Sequence, residues 1–350
     1  MNMISSVKKN GKNLIDWFRE KWTTKLQFST AVALILMIIL QTLALGFDFN
    51  SVGDWFGTWI QNWINILRNN ASIGIVALGM TFVILSGGID LAVGSTVVAV
   101  GAFVMVLIDI GPQGILSNIG ISGWPVYIIA ILLGVLFAAL LGEFNGVLIT
   151  YGKLPPFIAT LGTMKIYRSV TQHFMSGYNP EVPKPFLNIA SLEIGDQLLM
   201  PIIYWLILAA VLYIVSLKTT FGRQVTAVGS NEKATMLSGV NVNKIKRRVY
   251  TLMGVLVGIA AVVQVSRIGA MDYANAGSGY EMDAISSVIV GGTSMSGGKG
   301  TIVGTVLGTL IIAVMNNLLN LIGVPPFLRE AFKGVIVIGA VLLQKKESNA

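Results

Sequence analysis

Few residues of this chain could carry out covalent chemistry. The sequence contains no cysteine and a single histidine, His173. Cysteine nucleophiles, thiolate metal sites and disulfides are therefore excluded, and a Ser-His-Asp triad or a multi-histidine metal site is disfavoured. We expect no metal site and no catalytic residue, and we interpret the chain as a protein that is not an enzyme.

One glycine-rich segment, residues 291–301, comes close to the phosphate-binding loop of ATPases. That loop requires G-x-x-x-x-G-K-[S/T], because backbone amides hold the phosphates and a hydroxyl group binds magnesium. Gly298-Lys299 would need glycine in place of Thr293 and a hydroxyl residue in place of Gly300. Two required positions therefore fail, and any ATP and magnesium would have to be bound by a partner chain.

The composition is that of a membrane protein. Hydrophobic residues make up 54% of the chain and charged residues 11%, with a mean hydropathy of +0.76. Soluble domains carry roughly 25% charged residues. Because the apolar runs are continuous and do not alternate, we expect a helical bundle and not a β-barrel.

The apolar runs predict an all-α polytopic protein with about ten transmembrane spans. The segment 283–295, which is short and rich in glycine and serine, indicates a broken or re-entrant helix. We treat 26–344 as one membrane domain between a basic segment, 1–25, and a tail, 345–350. The predicted spans are 26–46, 70–86, 91–109, 124–149, 156–174, 199–217, 249–266, 283–295, 301–322 and 331–344.

The net charge of +8 is distributed unevenly. Lysine and arginine cluster in segment 1–25, in loop 218–249 and at Lys345-Lys346, whereas Arg329 and Lys333 oppose the pattern weakly. Clustering between spans follows the positive-inside rule, which predicts that both termini and the loop are cytoplasmic. It also argues against nucleic acid as a partner.

Two amphipathic stripes predict helices that lie on the membrane surface and contact lipid. The second stripe is rich in tryptophan, which prefers the headgroup level, and is assigned to the outer face. The stripes are Leu14, Ile15, Phe18 and Trp22, and Val52, Trp55, Phe56, Trp59, Ile60 and Trp63.

Loop 218–249 contains the signals of a short helix. Ser230 or Asn231 can cap its N-terminus, Glu232 suits the first turn, and Gly239 suits its end. A helix of about two turns is marginal alone, so we expect it to pack against a partner. An ordinary loop helix without a partner is the alternative.

Polar residues within the predicted spans leave two interpretations open. Asp90 is either a functional carboxylate at membrane depth or the cap of a helix that begins at Leu91. Asn145, Thr160 and Thr163 either bond neighbouring helices or line a path for a hydroxyl-rich solute.

A short sequence pattern, called the internal echo below, occurs in two distant parts of the chain. Ser86-Gly87-Gly88 is followed by Val93-Gly94-Ser95, and Ser296-Gly297-Gly298 by Val303-Gly304-Thr305. Repeats of this kind are common in transporters, although such turns also arise independently.

Several motifs, in order, resemble the permeases of ribose- and galactose-type ABC importers. The resemblance extends from about residue 70 to about residue 340. The motifs are LSGGIDLAVGS at 85–95, PFIATLGTM at 156–164, GSNEKATMLSGV at 229–240, YEMDAI at 280–285, VGG at 290–292 and SGG at 296–298.

The resemblance implies a type II permease, the fold of the vitamin B12 importer, in a bacterial plasma (inner) membrane. It further implies a second permease chain, with a homodimer favoured, an ABC ATPase inside and an extracytoplasmic sugar-binding protein outside. The chain would form the translocation path for a monosaccharide, lined by Asn145, Thr160, Thr163 and Asp90. The coupling helix would transmit ATP-driven motion through Gly229, Asn231, Glu232, Ala234, Ser238 and Gly239.

Other functions remain open. Thr235 and Glu143 depart from the usual pattern of the family, and the solute could be a nucleoside or another small polar molecule. An ion-coupled secondary transporter would need carboxylates deep in its spans, and Asp90 and Glu143 are the candidates. An intramembrane enzyme would need a catalytic constellation that these residue types do not supply.

Overall fold

Helices make up most of the part of the chain that the structure describes. The computed structural model describes residues 26–46, 51–111, 113–121, 123–194, 197–325, 328–336 and 338–339. The helices are α1 (Leu26–Leu45), α2 (Val52–Leu85), α3 (Val93–Ile108), α4 (Ile115–Asn118), α5 (Trp124–Thr150), α6 (Pro156–Phe174), α7 (Lys184–Ser191), α8 (Met200–Lys218), α9 (Thr220–Ser230), α10 (Glu232–Leu237), α11 (Val242–Ile268), α12 (Tyr280–Val290) and α13 (Ile302–Leu321). Residues 328–336 form a further helix, called the terminal helix below.

Local sequence explains where several helices begin. Helices α5 to α8 each carry proline in their first turn, where no backbone N–H donor is needed. Two short strands, β1 (Glu193–Ile194) and β2 (Gln197–Leu198), pair antiparallel between α7 and α8, with Glu193 opposite Leu198.

Among the described residues, five helices are long and apolar enough to cross a membrane: α2, α5, α8, α11 and α13. Helix α3 and residues 30–45 of α1 are apolar but shorter. The prediction of an all-α membrane protein is therefore confirmed. Helix α6 has the length of a span but carries Lys165 and Arg168, and α12 has 11 residues, about half the length of a span.

Helix α11 lies at the centre of the bundle, against α2, α3, α5 and α7. Its contact with α5 depends on small residues. A Cβ on Gly142 would overlap the carbonyl oxygen of Tyr250, and a Cβ on Gly254 would overlap that of Ala138. The two backbones therefore touch, which is how helices pack where lipid supplies no hydrophobic driving force.

The tryptophan stripe does not form a separate surface helix, so that prediction is wrong. Residues 52–63 are the first turns of α2, a continuous helix of 34 residues. The Trp55 indole donates to the carbonyl oxygen of Gly46 at 2.8 Å, and the Trp59 indole contacts the Thr42 hydroxyl on α1 at 3.0 Å. Trp55 and Trp59 thus pack against α1 and its end, whereas Val52, Phe56 and Ile60 are exposed. The predicted stripe at 14–22 lies outside the described residues.

The segment predicted as a broken helix at 283–295 is α12, which ends at Val290 before the turn 291–300. The terminal helix packs beside it through an ion pair. The ammonium group of Lys333 lies 2.8 Å from an oxygen of Asp283, and both side chains are buried. Lys333, which opposed the predicted charge pattern, is therefore not an exposed cation.

Candidate functional site

The short helix predicted in loop 218–249 is α10, and its ends are closed by local chemistry. The Asn231 side chain accepts a hydrogen bond from the Ala234 amide at 2.9 Å, which identifies Asn231 as the cap. Gly239 has a φ of +82°, in the region that favours glycine, and its amide donates to the Met236 carbonyl oxygen at 3.0 Å. The helix therefore has a defined shape although it has only six residues.

Helix α10 is fixed to the bundle on one side only. The Thr235 side chain is buried, and the Lys246 ammonium group on α11 lies 2.7 Å from the Glu232 carboxylate. The opposite side presents Met236 and Leu237, which are 60% and 86% exposed. Ala234 and Ser238, one turn apart, share the exposed surface. We call these four exposed residues the tip of α10.

Gly229 lies one helix away, near the end of α9, and contacts two distant segments. A Cβ on Gly229 would overlap the Leu85 carbonyl oxygen at the end of α2 and lie 2.7 Å from the Gly298 amide nitrogen. The Gly298 amide itself donates to the Leu85 carbonyl oxygen at 3.0 Å. A Cβ on Gly297 would lie 3.0 Å from the Gly229 oxygen and 3.1 Å from the Gly87 nitrogen. The two SGG turns of the internal echo therefore meet each other beside Gly229.

Asp90 lies beneath the first SGG turn and is buried. Its carboxylate accepts a hydrogen bond from the Ala92 amide at 2.9 Å and another from the Asn145 side chain. Asn145, also buried, is within 3.5 Å of the Tyr167 hydroxyl group. Helix α3 begins at Val93, so Asp90 closes the turn just before it. The carboxylate is thus held by bonds from two elements.

Thr160 and Thr163 lie on the buried face of α6. Their hydroxyl groups donate to the carbonyl oxygens of Pro156 and Thr160 at 2.8 and 3.2 Å. Of the sequence-predicted path residues, the structure brings Asp90 and Asn145 together. Thr163 and Thr160 lie one and two turns before Tyr167 on the same helix.

The outer surface of α6 carries polar residues that sequence reasoning did not select. Lys165, Ser169 and Gln172 are all exposed, and their spacing places them along one side of the helix. Gly162, one turn before Lys165, has open space at its Cβ position. The signal available in the sequence was Lys165, an ionisable residue inside a predicted span.

Glu143, which departs from the family pattern and is a candidate carboxylate for an ion-coupled transporter, is paired with Arg247 in the structure. The guanidinium group also lies over the Tyr151 ring, and the Thr251 hydroxyl donates to Glu143 at 2.6 Å. The partners are 104 residues apart, so spacing could not have indicated the pair.

At the opposite end of the bundle from α10, Asp109 organises the loops after α3. Its buried carboxylate accepts hydrogen bonds from the Tyr178 hydroxyl at 2.5 Å and from the amides of Gly111 and Glu181 at 2.9 Å. Burial alone would raise the pKa of Asp109, but these three bonds bring the pKa below its ordinary value. Asp109 therefore remains ionised and ties together the loops at 110–123 and 175–183.

The described residues include no group of three or more histidine, cysteine, aspartate or glutamate side chains that could hold a metal ion. A cavity of about 310 Å³ lies between α3, α5 and α6, and its lining, including Phe103, Phe137 and Val170, is almost entirely apolar. Such a lining offers few partners to the hydroxyl groups of a sugar.

Known proteins are similar to this chain over most of its length. Residues 62–341 match the model of a family described as branched-chain amino acid transport system / permease component. The ribose import permease protein RbsC of Bacillus subtilis (strain 168) is 40% identical over 296 residues, which cover 82% of this chain and 85% of that protein.

Two further relatives come from Escherichia coli (strain K12). Its ribose import permease protein RbsC is 36% identical over 338 residues, 95% of this chain and 97% of that protein. Its D-allose transport system permease protein AlsC is 32% identical over 303 residues, 85% of this chain and 87% of that protein. No solved structure matches the chain. The chain therefore belongs to this family of transport-system permeases, and the resemblance predicted from its motifs is confirmed.

Proposed function

We propose that this chain is the membrane subunit of an ABC importer, forming with a second permease chain the translocation path for a monosaccharide. An ABC ATPase would dock on α10, and an extracytoplasmic binding protein would deliver the solute. The observation that carries the proposal is the tip of α10, where Leu237 is 86% exposed on a capped helix that is anchored to the bundle.

The tip has the properties of a docking surface. An exposed leucine beside an exposed methionine is unfavourable in water, and a partner that covers both would recover the hydrophobic free energy. The helix is too short to be stable alone, yet Asn231 and Gly239 close its ends and Glu232 ties it to Lys246. A push on the tip would therefore move the helix as a unit.

The remaining coupling residues fit the same role. Ala234 and Ser238 are exposed one turn apart, next to Leu237. Gly229 connects α9 to the bundle through backbone contacts. ATP and magnesium would be bound by the partner, since this chain carries no phosphate-binding loop.

The polar side of α6 supports a second permease chain. Lys165 lies nine residues into a helix of 19, about 14 Å from its start, and its side chain is exposed. A lysine facing the centre of the bilayer costs about 3 kcal/mol or more. We infer that this side faces a second copy of the chain across a water-filled path. Asp90, Asn145, Thr160 and Thr163 would form the layer behind it.

Monosaccharide is the favoured solute because the relatives are named for ribose and D-allose. A nucleoside or another small polar molecule is the alternative. Lys165, Ser169 and Gln172 would offer hydrogen-bond donors and acceptors to hydroxyl groups.

The proposed topology follows the helices in order. Ten spans would be α1, α2, α3, α5, α6, α8, α11, α12, α13 and the terminal helix, in the type II arrangement of the vitamin B12 importer. Both termini and α10 would be cytoplasmic, in a bacterial plasma membrane, because basic residues cluster in those segments.

A secondary transporter is less well supported. It would need a carboxylate free to bind an ion, whereas Asp90 accepts hydrogen bonds from Ala92 and Asn145, and Glu143 is paired with Arg247. Uptake that an uncoupler abolishes at constant ATP would favour this alternative.

The docking proposal is tested with Leu237→Asp and the matched control Val52→Asp. Both residues are strongly exposed, at 86% and 84%, but Val52 lies at the start of α2, near the opposite end of the bundle. The complex is purified from membranes, ATPase recovery is measured, and uptake of ribose into proteoliposomes is followed with ATP. We expect Leu237→Asp to lose about tenfold or more of the ATPase and of uptake, and the control to retain both. Equal recovery in the two variants would refute docking at α10.

A further inference from the structure

We propose that Gly229 and the two SGG turns, 86–88 and 296–298, form a joint through which motion of α10 reaches the membrane helices. The proposal rests on the proposed function, because it assumes that an ATPase moves α10. It adds a set of positioning residues inside the bundle and gives the internal echo a mechanical role.

The first argument is the absence of space at Gly229. No side chain separates α9 from the end of α2, because a Cβ on Gly229 would overlap the Leu85 carbonyl oxygen. The same oxygen accepts the Gly298 amide hydrogen bond at 3.0 Å. Three backbone segments, distant in sequence, therefore meet at one point. Closely packed backbone is nearly incompressible, so a displacement of Gly229 must displace the other two segments.

The second argument is the short connection between Gly229 and α10. Helix α9 ends at Ser230 and α10 begins at Glu232, so Asn231 alone lies between them. Asn231 is extended, with φ −158° and ψ 100°, and its amide donates to the Ala227 carbonyl oxygen at 3.0 Å. A movement of α10 therefore either bends the chain at this one residue or carries Gly229 with it.

The third argument is the position of the two turns. The first leads from the end of α2 towards α3, and the second lies between α12 and α13. Gly87, Gly297 and Gly298 have φ values of +80°, +81° and +72°, which other residues rarely adopt. The second turn lies against Gly229, and the first turn, through Gly87, lies against Gly297. One displaced residue would act on the connections of four helices.

The joint is tested with Gly229→Ala. Gly229 lies in α9 and has no positive φ, so alanine fits its backbone, and the added Cβ acts only through its contacts with Leu85 and Gly298. The control is Gly57→Ala on α2, where a Cβ would have nothing within 4 Å. We expect the Gly229 variant to retain its ATPase subunit but to lose about tenfold of ATP-driven ribose uptake in proteoliposomes, a coupling loss of about 1.4 kcal/mol. Ribose uptake by the Gly229→Ala variant at the rate of the natural chain would refute the proposed joint.

Cysteine reporters separate failure of the joint from failure of the proposed function. The natural chain has no cysteine, so single substitutions give unambiguous labelling with a maleimide. Leu237→Cys is the docking reporter, and Met295→Cys, at an exposed position beside the second turn, is the joint reporter. Labelling is measured in the complex without nucleotide and with ATP and vanadate.

We expect the ATPase to protect the docking reporter from the maleimide. Nucleotide should change the labelling rate of the joint reporter severalfold in the otherwise natural chain, but not in combination with Gly229→Ala. A protected docking reporter with a constant rate at the joint reporter would overturn the joint and leave the proposed function intact. An unprotected docking reporter would overturn the proposed function itself, and the joint with it. If the Gly229→Ala variant does not assemble into the complex, the test rests on the joint reporter in the otherwise natural chain. A labelling rate that changes with nucleotide supports the joint, and a constant rate refutes it.

Discussion

The ion pair between Asp283 and Lys333 gives the sharpest prediction about stability. The Lys333 ammonium group lies 2.8 Å from Asp283, and the two side chains are 11% and 7% exposed. Removing one partner of a buried pair leaves an uncompensated charge and typically costs 3–5 kcal/mol, which we take as about 4 kcal/mol. Lys333→Met leaves Asp283 in that state. At roughly 2–4 °C per kcal/mol, the melting temperature should fall by about 10 °C.

The single variants Lys333→Met and Asp283→Asn should differ in melting temperature. With Asp283→Asn, Lys333 keeps a second partner, because the Glu330 carboxylate lies 2.9 Å away and its side chain is 61% exposed. The expected loss is therefore smaller than for Lys333→Met. The double variant Asp283→Asn/Lys333→Met leaves no unpaired buried charge, because Glu330 is exposed to solvent, and its melting temperature should lie near that of the natural chain. Glu330→Gln, at an exposed site, should cost less than about 1 kcal/mol.

The assay is thermal unfolding of the purified chain in detergent at neutral pH, in the four variants and the natural chain. The reasoning depends on the desolvated charge and not on lost contacts. If the double variant is as unstable as Lys333→Met, or less stable, the loss comes from packing and the electrostatic account is refuted. If Asp283→Asn lowers the melting temperature more than Lys333→Met does, the Glu330 carboxylate does not compensate Lys333 for the loss of Asp283.

Two further predictions concern the buried carboxylates at either end of α3. Because the pKa of Asp109 is lowered, the stability that its charge contributes is complete above its ordinary value of 3.8 and is lost as the pH falls through the lower native value. The difference in melting temperature between the natural chain and Asp109→Asn should therefore be constant from neutral pH down to about pH 5 and narrow only below about pH 4. Asn145→Leu removes a donor to buried Asp90 and should lower stability by about 1–3 kcal/mol and slow uptake; unchanged uptake rate and affinity would remove Asn145 from the proposed path.

Local chemistry explains what the sequence could predict. The cap of α10 and its end at Gly239 follow from residue types whose preferences act within four positions. The sequence predicted the end at Gly239 and narrowed the cap to Ser230 or Asn231, of which the structure selects Asn231. Most predicted spans agree with helices of the structure for a similar reason, since continuous apolar runs leave few alternatives.

Contacts between residues far apart in the chain account for the features that the sequence could not predict. Trp55 and Trp59 look like interface anchors by their spacing, but their partners are on α1 and at its end, and only the fold reveals them. The charges of Glu143 and Lys333 are likewise unexpected in their own segments. Each is explained by a partner far away in the sequence, Arg247 for Glu143 and Asp283 for Lys333. A charge count along the chain treats such residues as exceptions, whereas the structure neutralises them in pairs.

The internal echo shows how a weak sequence signal gains meaning from contacts. Two SGG turns could arise independently, and their similarity alone does not relate them. In the structure a Cβ on Gly297 would lie 3.1 Å from the Gly87 nitrogen and 3.0 Å from the Gly229 oxygen, so the second turn contacts both the first turn and Gly229. If the turns were only convenient helix breaks, nothing would require them to meet. Their meeting beside Gly229, two residues before the Asn231 link between α9 and α10, is what a device for moving both parts of the bundle together would need. Gly229 is therefore the position where a single methyl group should separate ATP hydrolysis from transport.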